Sequence, residues 1–409
     1  MMLTKPLLLL RRVARNLVAR VLFGAVLALA MAAFAPKILP LVPDNWQGRI
    51  KPDAVIPILN VLASTMLTVT TFSLSVMVSA FQAAASQATP RAYRLQLADT
   101  TTHTVLAVFT GAFLYSLTAL VMYRAGFYAP ETSVVILGVT ILVIAAIVVA
   151  ILRWIDHLST LGSLDDTLSK VEQNAREPLA RAMANPALGG LPLPEGARIP
   201  ASAVAVPAPR GGYVQFVDMS KLDDLLGASG ASLTLAVTPG VHVLKGRPLA
   251  WLLGKVDDPD ALCACFTLGE TRTNEEDARF GIVVLAEIAQ RALSPGINDP
   301  GTAIDAIHRI TRLLSECEGP RDVPPEFPRI EVPRLSAADL VEDGFAAIIR
   351  AGAEHPQVVG IAVDGLKQLE SSGWAEMAPA VKAAQGYALR HARQHLVVSE
   401  DRDDLAGRL

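Results

Sequence analysis

One stretch of the chain has the residue types and order of a ligand site: Ser294, Pro295, Gly296, Ile297, Asn298, Asp299, Pro300, Gly301 and Thr302. A glycine-containing loop that runs into a helix N-terminus offers backbone N–H groups and the positive end of the helix dipole, which is the chemistry of anion binding. Asp299, however, stands where an N-cap belongs and Pro300 where the first helical residue belongs, so a carboxylate already occupies that position and would repel a phosphate. Ser294, Pro295, Gly296, Asn298, Asp299 and Pro300 therefore form a candidate ligand or contact loop, with a structural turn or subunit contact as the other reading.

Other pairs are weaker. Asp305 and His308 lie one helical turn apart and could ligate a metal with Asp299 or Glu287, but such spacing is common on solvated helices. His391 and His395 form a one-turn pair without a third ligand or the intervening acid of a metalloprotease helix, and read as surface residues. Cys263 and Cys265 would share one face of a strand, too close to hold a metal by themselves, and read as core. Glu270, Glu275, Glu276 and Asp277 read as a solvated loop with helix-start character. The sequence contains no Walker loop, no G-x-S-x-G elbow, no H-E-x-x-H and no dinucleotide fingerprint, so no catalytic residue, metal or cofactor is expected.

The second constellation is polar but uncharged. From Ala54 to Pro90 there is no Asp, Glu, Lys, Arg or His, which marks a membrane helix because a charge at the bilayer centre costs several kcal/mol. Within it Ser64, Thr68, Thr71, Ser75, Ser79, Gln82 and Ser86 follow one another by threes and fours, so they line one helical face, while Leu62, Met66, Val69, Phe72, Val76 and Phe81 supply apolar surface elsewhere. Such a stripe either lines a water-filled path or lets helices pack closely, its hydroxyls bonding across the interface or back to their own carbonyls. Arg91 and Arg94 follow it and would set the charge at a cytoplasmic mouth, where a ring of arginines favours anions.

These residues need elements to hold them. The chain has 409 residues, is 52% hydrophobic and carries a formal charge of -3, which suits a membrane region joined to a water-exposed region and gives no reason to expect a nucleic-acid partner. Its three cysteines are too few for a disulfide framework and fit a reducing compartment. A basic segment over 1–15, with Lys5, Arg11, Arg12 and Arg15, precedes the apolar run Val21 to Ala35. That run has the form of a secretory signal, and Ala33, Phe34 and Ala35 imitate a cleavage site, but further apolar runs follow and it reads as the first membrane helix.

Four transmembrane helices are expected, at about 16–36, 54–88, 104–123 and 133–153, within a domain spanning 16–154. The excess of Lys and Arg at the amino terminus, at Arg91 and Arg94 and at Arg153 puts both termini in the cytoplasm.

A juxtamembrane helix and linker occupy 155–198, with Leu158, Leu161, Leu164, Leu168 and Val171 as a seam that could self-associate. A small β-rich domain covers 199–269, with strands at 213–217, 232–237, 248–253 and 262–268 and a helix at 219–226. Its stretch from Val237 to Pro248 resembles the turn-strand-turn pattern of small lipoyl-type barrels, so a barrel-like domain is expected. A helix-loop-helix covers 270–318, a proline-rich linker 319–335, and helices fill 336–409 at 337–350, 356–369 and 375–398. The fold class is a membrane all-α bundle of four helices followed by a cytoplasmic α+β region.

Two runs, Phe81-Gln82-Ala83-Ala84-Ala85-Ser86-Gln87-Ala88-Thr89-Pro90-Arg91 and Arg291-Ala292-Leu293-Ser294-Pro295-Gly296-Ile297-Asn298-Asp299-Pro300, resemble the bacterial membrane proteins grouped as domain of unknown function 2254. The resemblance implies a multi-pass inner-membrane protein with a cytoplasmic region, and it brings no activity and no catalytic residues. The function expected is a homo-oligomeric channel-like or transport-related assembly, its path for a small ion or solute lined by the second helix and its opening governed by the cytoplasmic region. The alternative is a membrane-anchored sensor or scaffold that binds a small ligand or protein partner through that region.

Overall fold

The computed structural model describes residues 12, 16–87, 89–96, 100–160, 162–194, 196–227 and 229–408. It comprises two compact units, the first ending at Thr167 and the second beginning at Leu168.

The first unit is helical: α1 (Leu17–Ile38), α2 (Pro52–Gln87), the short α3 (Pro90–Gln96), α4 (Thr100–Arg124) and α5 (Ser133–Thr160). Four of these, α1, α2, α4 and α5, are long and apolar enough to cross a membrane, in the places the apolar runs predict. Asn16 starts α1 by accepting the Val18 N–H at 2.9 Å. At 36 residues and about 1.5 Å of rise per residue, α2 is about 54 Å long, well beyond the ~30 Å of bilayer hydrocarbon. It stays helical through Pro57.

Glycines seat α1 against α4. A Cβ at Gly24 would lie 3.0 Å from the Ala107 carbonyl oxygen, and one at Gly111 would lie 3.3 Å from that of Gly24, the close approach that small residues permit in membrane bundles. Tyrosines tie the far ends. The Tyr115 hydroxyl donates to the Ile136 carbonyl and meets Thr140 Oγ1, each at 3.1 Å, while Tyr128 donates to the Ala32 carbonyl. In α2 the inward residues are Val55, Leu59, Met66, Met77 and Phe81, and Phe81 meets the Tyr93 ring of α3 edge-on at 6.3 Å.

The second unit opens with α6 (Leu164–Ala184) and then holds two sheets. Strands β1 (Gly190–Pro192), β2 (Val204–Pro207), β4 (Ser232–Leu235), β6 (Pro248–Leu253) and β8 (Phe327–Val332) form one in the order β1-β8-β4-β6-β2. Strands β3 (Gly212–Val217), β5 (His242–Val243) and β7 (Phe266–Gly269) form the other, β5-β3-β7. Helices α7 (Met219–Gly227) and α8 (Pro259–Cys263) lie among them.

Then come α9 (Phe280–Ala292), α10 (Pro300–Ser315), α11 (Ala337–Val341), α12 (Ala347–Ala351), α13 (Pro356–Glu370), α14 (Met377–His395) and α15 (Ser399–Arg408). A single π turn over Glu342–Ala346 joins α11 to α12 where one continuous helix is expected. Leu222, Leu233, Leu249, Leu262 and Ile330 are fully enclosed in the core beneath the sheets.

Several expectations are corrected here. Among the described residues neither sheet closes, so the barrel-like domain is instead a pair of open sheets. The proline-rich linker 319–335 contributes β8, which lies between β1 and β4 and is parallel to both. Pro328 is tolerated there because the register jumps from Gly190↔Phe327 to Leu191↔Glu331, and the proline falls in the skipped stretch where no N–H is needed. Cys263 ends α8 and Cys265 lies in the turn before β7 rather than on one strand. Of the seam residues, Leu168 and Val171 of α6 are buried inside their own unit, Leu158 belongs to α5, and Leu161 lies outside the described residues; further along α6, a Cβ on Gly281 of α9 would lie 2.3 Å from the Ala175 Cβ.

Candidate functional site

The stripe of α2 lies where a single helix seated by one apolar face must put it. Ser64, Thr68, Thr71, Ser75, Ser79 and Gln82 are all exposed on the chain's own bundle, opposite the buried Met66, Ser73 and Met77. The Ser86 side chain lies outside the described residues. Hydroxyl donors are spent locally: Ser64 bonds the Asn60 carbonyl at 3.0 Å, Thr68 that of Ser64 at 3.3 Å, Thr71 that of Thr68 at 2.9 Å, and Ser75 that of Thr71 at 3.0 Å. Their oxygens keep acceptor capacity. At the end of the stripe, Thr89 caps α3 by accepting the Ala92 N–H at 3.3 Å, and Arg94 is exposed with its Nε 3.4 Å from the Pro90 carbonyl.

The loop between α9 and α10 is a closed turn. The N–H groups of Ser294, Ile297, Asn298 and Asp299 bond the carbonyls of Arg291, Ser294, Ser294 and Ala292, so four of the loop's donors are engaged within it. Asn298 has φ +50°, a conformation its short polar side chain tolerates. Asp299 is the N-cap the sequence predicts, accepting the Thr302 hydroxyl at 2.5 Å and its N–H at 3.1 Å, and these bonds hold its carboxyl below the usual range. Pro295, Gly296, Ile297 and Asn298 are exposed. Asp299→Ala should cost about 1 kcal/mol of stability, read as a lowered thermal midpoint of the full-length protein in detergent. An unchanged midpoint would show that the cap contributes nothing.

Asp305 accepts from Arg309 Nε at 3.0 Å, while His308 is exposed. His391 and His395 stack at 5.9 Å on α14, beside Tyr387.

The clusters that sequence reasoning missed are buried and ionic. Glu172 on α6 is 4% exposed and collects three arginines: Arg312 Nε at 2.7 Å and Nη2 at 2.6 Å, Arg176 at 2.8 Å and Arg309 at 3.2 Å. Burial alone would raise its carboxyl, but the bonds from Arg312 and Arg176 outweigh it and hold the pKa down. The i,i+4 pair Glu172/Arg176 and the i,i+3 pair Arg309/Arg312 are visible in the sequence, but their meeting requires α6 to pack on α10.

Of the acidic run read as solvated, Glu270 is exposed, but Glu276 and Asp277 are not solvated. Asp277 is 3% exposed and takes a two-pronged bond from Arg272 at 2.8 and 3.0 Å; burial raises its carboxyl and Arg272 opposes. Glu276 has its carboxylate turned inward, with the Val217 N–H at 3.3 Å as partner, and burial pushes it up to about 8. It borders a cavity of about 50 Å³ lined also by Pro178, Arg181 and Met219. The correction has a simple cause: the chain between β7 and α9 crosses the end of β3 rather than looping into water. Arg272 and Arg279, placed close to the acids, are the signal that could have shown it.

Residues 14–368 match the family model described as "Predicted membrane protein (DUF2254)". Over 363 residues the chain is 28% identical to the uncharacterized protein Mb1321c of Mycobacterium bovis and to the uncharacterized protein Rv1290c of Mycobacterium tuberculosis, covering 82% of this chain and 68% of either relative. No solved structure matches. The family match takes in all four apolar helices, both sheets and the α9–α10 loop. With four helices able to cross a membrane and a mixed helix and sheet unit after them, the chain belongs to the DUF2254 family of predicted membrane proteins.

Proposed function

We propose that the protein is a homo-oligomeric, channel-like or transport-related assembly of the bacterial inner membrane, in which copies meet along α2 and its stripe lines a path for a small ion or solute. One observation carries the reading: the polar face of α2 lies on the outside of the single chain's bundle, from Ser64 to Gln82. With donors bonded to its own carbonyls and acceptor capacity kept, this face suits water, an ion or a second copy better than hydrocarbon.

The basic residues at the amino terminus and after α2 support an orientation with both termini in the cytoplasm, where the second unit would govern opening. Arg91 and Arg94 then stand at the cytoplasmic mouth and favour anions.

The test is ion flux in liposomes holding the purified protein, against Thr71→Trp and empty vesicles. Flux in the wild type that falls by about an order of magnitude in the variant is expected, since an indole cannot share a narrow path with an ion. No flux under varied voltage, tension and pH would sink the reading. The alternative, a membrane-anchored sensor or scaffold, is favoured by the exposed Ile297, 44% accessible on an internally braced loop, and would be left intact by any substitution in the stripe.

A further inference from the structure

A groove of about 410 Å³ runs along the outside of the helical unit between α1 and α5, with α4 as its floor. Phe23 and Leu27 of α1 form one wall and Val143 and Ala146 of α5 the other, while Ala107 and Gly111 keep the floor low. Among the described residues its only charged lining residue is Arg20, at the end where α1 begins, whose Nη1 lies 3.0 Å from Thr104 Oγ1. Met31 and Tyr115, at the other end, are each eleven positions further along their helices than Arg20 and Thr104, so the groove is about 16 Å long.

Lining and charge select the occupant. A guanidinium at one end of an otherwise apolar groove asks for an anion joined to an apolar chain, which an apolar helix of a second copy does not bring. A water column is ill-suited to walls of phenylalanine, leucine, valine and alanine. An extended hydrocarbon chain fits the apolar lining, and a guanidinium at the mouth complements a phosphate. We propose that this groove binds one acyl chain of an anionic phospholipid, with its phosphate at Arg20. Because α2 contributes no residue to the groove, the site stands or falls separately from any path along the stripe.

The experiment uses the full-length protein in phosphatidylcholine vesicles doped with phosphatidylglycerol that carries a photoreactive diazirine midway along one acyl chain. Peptide mapping after illumination should place the label on Phe23 or Leu27. Ala146→Phe, at an exposed position, should lower that labelling several-fold. Arg20→Gln should abolish the preference for the phosphatidylglycerol probe over a phosphatidylcholine probe with the same chain, while leaving labelling itself in place. Label spread evenly over the exposed apolar residues of α1, α2 and α5 and unmoved by Ala146→Phe would overturn the site. A head-group preference unchanged by Arg20→Gln would overturn the anionic assignment. Disulfide capture of a second copy by Leu27→Cys, with no lipid label in the groove, would replace the lipid by a subunit contact.

Discussion

Gly281→Val should lower the stability of the carboxyl-terminal unit by about 3 kcal/mol or more, at the upper end for overpacked cores. Gly281 lies on α9 where that helix touches α6, and an added Cβ would stand 2.3 Å from the Ala175 Cβ and 3.0 Å from its Cα. Carbon atoms sit comfortably at about 3.5–4.0 Å, so the two helices would have to separate by more than an ångström. Glu172, one turn before Ala175, would be drawn away from Arg309 and Arg312 by the same movement.

The measurement is thermal unfolding of the full-length protein in detergent. The discriminating variant is Gly281→Ala, alone and with Ala175→Gly: the double substitution restores the missing space and should recover most of the loss, a non-additivity expected only of residues in contact. Equal midpoints for wild type and Gly281→Val would refute this packing.

Glu276→Gln should raise stability at alkaline pH and leave it unchanged in acid. The folded protein holds the Glu276 proton up to about pH 8, whereas an unfolded chain releases it near 4.5, the ordinary value. Between those values the folded state binds more protons, so stability falls as pH rises through the window and is flat above it. The difference corresponds to roughly 3–5 kcal/mol. Glutamine keeps the shape and never ionises, so its gain should be absent at pH 4, grow from 5 to 8, and level off. Midpoints measured across that range decide it; parallel curves for variant and wild type would mean that the carboxylate is hydrated and its burial irrelevant.

The spans were legible because the absence of charge over a membrane's width is a property of composition, needing no knowledge of neighbours. The start of α10 was legible for a local reason too, since Asp299 and Pro300 specify a cap by their own geometry. What escaped was everything decided by a distant partner. Phe327 to Val332 is flanked by prolines and reads as linker; its burial depends on β1 and β4, which the local sequence does not announce. Glu276 and Asp277 look like ordinary solvated acids until β3 and Arg272 arrive beside them.

The leucines of α6 show the same limit. Their periodicity is real, but the sequence does not say that Leu168 and Leu179 will be buried within their own unit. In the stripe of α2 the hydroxyls of Ser64, Thr68, Thr71 and Ser75 bond carbonyls of their own helix, a local outcome that needs no distant partner. Which surface meets that face is not written in the helix itself.

The placement of β8 has a consequence for biogenesis. Gly190 pairs with Phe327, and Leu233 with Ile330, so the strand that joins β1 to β4 is the last of the larger sheet's five to leave the ribosome. Until Val332 has emerged, β1 and β4 stand apart with a strand-wide gap between them, each presenting unsatisfied N–H and C=O groups to any passing chain. Parallel pairing across so long a separation is slow because the loop must close before contacts reward it. The nascent protein thus passes through a stage already tethered by its apolar helices but with an open template in its second unit. The proline-rich approach to Phe327 keeps the missing strand itself a poor partner for aggregation until it finds its slot.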